Sequence, residues 1–101
     1  MQIIQCIDRK MPLEDIAATN QLKVSELMQE LDMIVLSGTK INIDYYVNDV
    51  VDEYVREEIY DYFKEAETDD VVTAFHELKE NDITIEEIEL IRLKFLSDLA
   101  N

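Results

Sequence analysis

A chain of 101 residues with one glycine, Gly38, and one proline, Pro12, has little with which to build tight turns. Sheets and loop-rich bodies need frequent chain reversals, and Gly and Pro are the residues that make many of those reversals cheap. The expectation is therefore an all-α fold, a compact bundle of six or seven short helices. The length fits one modest core, so residues 1–101 are read as a single helical domain. A composition of 48% hydrophobic and 33% charged residues suits a folded chain better than a disordered one. No apolar run approaches a membrane span and no signal-peptide pattern opens the sequence, so no membrane partner is expected. The lone Cys6 cannot form an internal disulfide, which points to a reducing cytoplasm.

Apolar spacing places the helices. The first covers about 2–9, with Ile3, Ile4 and Ile7 on one side and no capping residue ahead of them. That abrupt amphipathic start suggests a piece of a longer polypeptide. Pro12 suits a helix N1 position, and Leu13, Ile16 and Ala17 give a short helical face ending near Thr19. After a turn at 20–23, Val24, Leu27, Met28 and Leu31 mark a helix to about Leu36, closed by Gly38. TKINI (39–43) alternates as a short extended segment, and Asp44 is the expected cap of the next helix. Val47, Val50, Val51 and Tyr54 form one stripe, and Val55, Ile59, Tyr62 and Phe63 form another, with a break near Asp52 and Glu53. Thr68 or Asp69 caps a helix burying Val71, Val72, Phe75 and Leu78. Thr84-Ile-Glu-Glu87 is a capping box, opening a last helix whose Ile88, Ile91, Phe95 and Leu99 face inward.

Residues 12–36 have the spacing of a helix-turn-helix. Ala17 is the small residue at the crossing, Leu22 pins the turn, and Leu27 and Leu31 form the inner face. Gln21 stands where the turn usually takes Gly for positive φ, at a cost of about 1 kcal/mol. Asn20 occupies a position more often apolar. On the outer side of the second helix lie Lys23, Ser25, Glu26, Gln29, Glu30 and Asp32. Ser25 and Gln29 can bond base edges and Lys23 a phosphate, with Arg9, Lys10 and Lys40 as further candidate nucleic-acid contacts. Three outward acids and no Arg give this face little affinity for duplex DNA, so packing or protein contact is favoured over groove reading.

The charge is uneven. Residues 1–40 hold four basic against six acidic side chains, and residues 41–101 hold five against eighteen. Asp49, Asp52, Glu53, Glu57, Glu58, Asp61 and Glu65 form a candidate acidic docking surface for a basic protein, or else a solvated face. Carboxylate pairs such as Glu57/Asp61 and Glu86/Glu89 read as solvated helix surface, since a perturbed acid needs a desolvated cleft.

Catalytic signatures are missing. One glycine excludes a P-loop and a dinucleotide fingerprint. The segment HELKE at His76 lacks the second His of a zinc-protease helix, a single Cys and a single His make no zinc site, and DYFKEAETDD lacks the glycine of a calcium loop. Cys6 reads as a small buried apolar residue and His76 as a surface one. No catalytic, cofactor or metal site is expected in this chain.

The segments IDRKMPLEDIA (7–17), SGTKINIDYY (37–46), IYDYFK (59–64) and EEIELIRLKFLS (86–97) together resemble the C-terminal helix-turn-helix accessory domain of bacterial RecQ-type ATP-dependent DNA helicases. The resemblance implies a parent that unwinds DNA 3′ to 5′ in replication, recombination and repair. ATP, Mg²⁺ and Zn²⁺ would belong only to that parent's upstream domains, and none of the motor's residues falls in this chain. The implied role is modulation or positioning of the motor, with at most weak DNA contact and with the upstream helicase domains in cis, or another basic protein surface, as partner. It implies a bacterial, nucleoid-associated location. The reading without the resemblance is a free-standing acidic interaction or regulatory module.

Overall fold

The computed structural model describes residues 2–78 and 82–99. Seven helices occur among them: α1 (Ile3–Asp8), α2 (Leu13–Thr19), α3 (Val24–Leu36), α4 (Asp44–Val50), α5 (Glu53–Glu65), α6 (Val71–Leu78) and α7 (Ile85–Leu99). No described residue lies in a strand. The 39–43 segment keeps the expected alternation, with Ile41 and Ile43 buried and Asn42 exposed, but it has no strand to pair with and stays irregular.

The longest helix, α7, organises the body. It packs against α3, α4, α5 and α6, whereas α1 packs on α2 and α2 on α3. A helix with neighbours on several sides must be apolar around much of its circumference. Accordingly Ile88, Leu90, Ile91 and Leu93 are all buried, more than a single stripe would supply. Leu27, Leu31 and Val35 of α3, Ile59 and Phe63 of α5 and Ala74 and Leu78 of α6 belong to the same core. The α5–α7 seam also carries rings: Phe63 stacks on Phe95 at 5.9 Å and Tyr60 meets Phe95 edge-on at 5.4 Å.

Local signals account for the helix ends. The Thr84 capping box is present: the Glu87 N–H donates to Thr84 Oγ1 at 3.2 Å, and the Thr84 N–H donates to Glu87 Oε1 at 2.9 Å. Gly38 adopts φ +96° just after α3. Gln21 does take a left-handed backbone, at φ +58°.

Several expected placements are corrected. Pro12 sits one position earlier than N1, at the cap of α2. Asp44 is the first residue of α4 and does not cap it; its own N–H is held by Asn42 Oδ1. Before α6 the capping carboxylate is that of Asp70, which accepts from the Thr73 N–H at 3.0 Å and the Thr73 hydroxyl at 2.8 Å. Those bonds hold the Asp70 carboxyl below its usual pKa. The Val47/Val50/Val51/Tyr54 stripe dissolves because Val51 is extended (φ −116°, ψ 124°), which resets helical phase; Val47 and Val51 are buried while Tyr54 is 79% exposed. Val72 is 60% exposed because it lies about 100° round α6 from Val71. Leu99 shares the phase of Ile91 and Phe95 but lies in the last turn of α7 and is exposed.

Three polar ties join the N-terminal helices to α7. Ser97, 1% exposed, accepts the Ile41 N–H at 2.8 Å and donates its hydroxyl to the Ile41 carbonyl at 2.7 Å. Arg92 bonds Asp32 of α3 and, ahead of α6, the Asp69 carboxylate and carbonyl, both at 2.8 Å. Lys94 pairs with Asp44 at 2.9 Å. Within the N-terminal part, Tyr45 donates to the Met11 carbonyl at 2.6 Å and Tyr46 donates to Glu14. Burial, reinforced by the Glu14 contact, raises the Tyr46 phenol above its ordinary pKa.

Candidate nucleic-acid interface

The α2–turn–α3 unit is built as its sequence implies. Ala17 is buried at the crossing, and its carbonyl accepts the Leu22 N–H at 2.8 Å, closing the turn. Asn20 resolves its polar position by donating from its side chain to the Ile16 carbonyl at 2.8 Å. At the start of α3, Glu26 Oε1 accepts the Lys23 N–H at 2.8 Å. Glu26 thus acts locally, satisfying backbone at the helix entry, where a carboxylate is also favoured by the helix dipole.

Ser25 and Gln29 are exposed and, four residues apart, share one face of α3 with Asp32. That face looks into a groove of about 750 Å³ shared with the start of α6 and with α7. Asp32, Asp69, Asp70 and Glu89 line it, and its one lining cation among the described residues, Arg92, already bridges Asp32 and Asp69. Asp32 is therefore not the free outward acid expected from its spacing. A phosphate backbone brought against Ser25 and Gln29 would meet the carboxylates of α6 and α7 as well.

The cations are arranged differently. Arg9 and Lys10 follow α1, Lys23 precedes α3, and Lys40 comes after the far end of that helix, which is itself about 20 Å long. All four are exposed, and none forms an ion pair within 4 Å among the described residues. None lines the groove that Ser25 and Gln29 face. The structure brings Ser25 and Gln29 together and leaves the candidate cations dispersed, free for solvent or for phosphate.

The candidate acidic surface is only partly one surface. Glu53, Glu57, Asp61 and Glu65 recur every four residues and form an exposed row on α5. Asp52 stands just before that helix without a side-chain capping bond, and Asp49 lies on α4. Glu58 is half-buried and has a partner within the chain. Lys64 pairs with Asp61 at 3.7 Å across exposed side chains. Among the described residues no group of His, Cys, Asp and Glu could hold a metal ion, and no helix is long and apolar enough to cross a membrane.

Residues 1–47 match the family described as the RecQ-1-like helix-turn-helix domain. Over those residues the chain is similar to that domain. The match takes in α1, α2 and α3 and most of α4, ending at the buried Val47. No curated protein matches the chain. The matched segment contains Asp32, Ile41 and Asp44, while Arg92, Ser97 and Lys94, which hold them, lie outside it.

Proposed function

We propose that this chain is a non-catalytic accessory domain of a RecQ-like 3′ to 5′ ATP-dependent DNA helicase acting in replication, recombination and repair. It modulates or positions the motor and makes at most weak contact with DNA. The carrying observation is the RecQ-1-like helix-turn-helix over residues 1–47, whose four cations are exposed and, among the described residues, unpaired. Lys23, Arg9, Lys10 and Lys40 contact phosphates from scattered positions. Ser25 and Gln29 contribute little base reading, because the groove before them has acidic walls.

Titrating labelled forked and single-stranded DNA with the protein at low salt tests the reading. The expected result is weak binding that falls with salt and is lost in Lys23→Glu. No binding at high micromolar protein, or binding indifferent to Lys23→Glu, overturns the DNA contact.

The exposed carboxylate row of α5 favours a second mode for the same module, in which that face docks on a basic protein surface such as the parent's DNA-binding groove. Added in trans to a helicase lacking this domain, the module then slows unwinding at low salt. An unchanged rate removes this mode.

A further inference from the structure

A second acidic site lies away from α5. Glu89 of α7 is half-buried, and its carboxyl titrates above the usual range because of burial first and the neighbouring Glu86 second. Both residues face a second cleft, of about 380 Å³, between the start of α3, the end of α4 and the first turns of α7. Its lining includes Val24, Met28, Val50 and Leu90, and the two valines are 45% and 46% exposed. All its charged lining residues are glutamates: Glu14, Glu86, Glu87 and Glu89. Glu14 accepts a tyrosine hydroxyl and Glu87 serves the Thr84 cap, but Glu86 and Glu89 have no ion pair or side-chain hydrogen bond among the described residues.

We infer that this cleft is a docking site for a short amphipathic helix of a partner protein, one that inserts apolar side chains between Val24 and Val50 and sets Lys or Arg against Glu86 and Glu89. Two needs coincide here. The exposed valines gain by being covered, and a carboxylate already partly removed from water gains more from a cation than a solvated one does. The charge also excludes other occupants. Nucleic acid and anionic lipid are repelled by four glutamates. A second copy of this chain carries its exposed, unpaired cations beyond helix ends and not along one helical stripe, so it offers no matching face. The larger groove next to α6 also borders Glu89, but there Arg92 already stands in the lining and bridges Asp32 and Asp69, so that side holds its own cation.

The test uses the whole 101-residue protein and a synthetic peptide of Leu and Lys with leucines at i, i+3, i+4 and i+7. A second peptide has the same composition with the leucines shuffled off the stripe. By amide chemical shifts, the striped peptide is expected to perturb Val24, Met28, Val50 and the first turns of α7. Glu86→Gln/Glu89→Gln should weaken it at least about threefold, whereas Glu57→Gln/Asp61→Asn on α5 should change it by less than that factor. The site is overturned if the striped peptide does not bind, if the shuffled one binds equally, or if both double variants weaken binding alike. Perturbations centred on α5 would also overturn it, and would instead support docking through the acidic row.

Discussion

Arg9, Lys10, Lys23 and Lys40 are exposed and have no ion pair among the described residues, whereas beyond residue 40 Lys64, Arg92 and Lys94 are each held by carboxylates. The acids differ in the same sense. Glu26 and Asp32 serve the helix entry and the Arg92 bridge, while the α5 row and the α7 glutamates exceed the cations near them. Net charge is therefore a poor guide to what either half can touch. The helix-turn-helix half is nearly neutral but offers unpaired positive groups. The other half is strongly acidic; Arg92 and Lys94 are committed to ties between elements, and Lys64 to an exposed pair within α5. Arg56 bonds Asn48.

The largest expected effect tests whether the halves behave as one unit. Ser97→Ala removes the side-chain partner of the buried Ile41 N–H, so the protein should lose about 2 kcal/mol or more in urea unfolding, still through one transition. Two separate transitions would break the comparison into independent domains. Next, Arg92→Met removes the bridge from α7 to α3 and α6. Because Asp32 and Asp69 are 35% and 43% exposed and partly solvated, the loss should be about 1 kcal/mol. Amide exchange should rise in α3 as well as at the start of α6; a rise confined to α6 and α7 would show that the bridge does not couple the halves.

Smaller effects sharpen the contrast. Gln21→Gly relieves the left-handed backbone and should gain less than about 1 kcal/mol, part of it offset by the freer unfolded chain. A lower melting temperature would show that Gln21 makes a contact that outweighs the strain. For Glu89 the sign follows from its raised folded pKa. The native state holds the proton more tightly than the unfolded chain, so this group favours folding at low pH and costs stability above its folded pKa. Glu89→Gln should therefore melt at or slightly above the parent near neutral pH, with the gain vanishing below about pH 4. A lower melting temperature at neutral pH would mean that the carboxylate is usefully paired.

The readable part of this fold was the local part. The bounds of α3, the strained Gln21, the break at Asp52 and the Thr84 box follow from patterns within a few residues. The ties between the halves join residues 50 to 60 positions apart, where no spacing rule reaches. One of them did leave a trace: Ser97 lies on the phase of Leu90 and Leu93, and a small polar residue on a buried stripe asks for a partner. The candidate contacts were legible as residue types but not as a surface. Asp32 looked outward only because Arg92 was out of view, and Glu86/Glu89 looked solvated because the opening between Val24 and Val50 depends on how α4 meets α3 and α7. The SGTKINIDYY and IRLKFLS segments now have a physical account, since Ile41, Asp44, Tyr45 and Tyr46 lie in one and Arg92, Lys94 and Ser97 in the other.

The position of α7 at the centre of the body bears on how the protein is made. Leu27 and Leu31 leave the ribosome with α3 and find α2 already made, yet α7, which packs on another side of that helix, begins roughly 50 residues later and leaves part of its apolar surface uncovered. At about 5–20 residues per second, a nascent chain carries that bare greasy ridge for several seconds before its lid is synthesised. Translation speed across α4 to α6 thus sets how long a chaperone has something to hold.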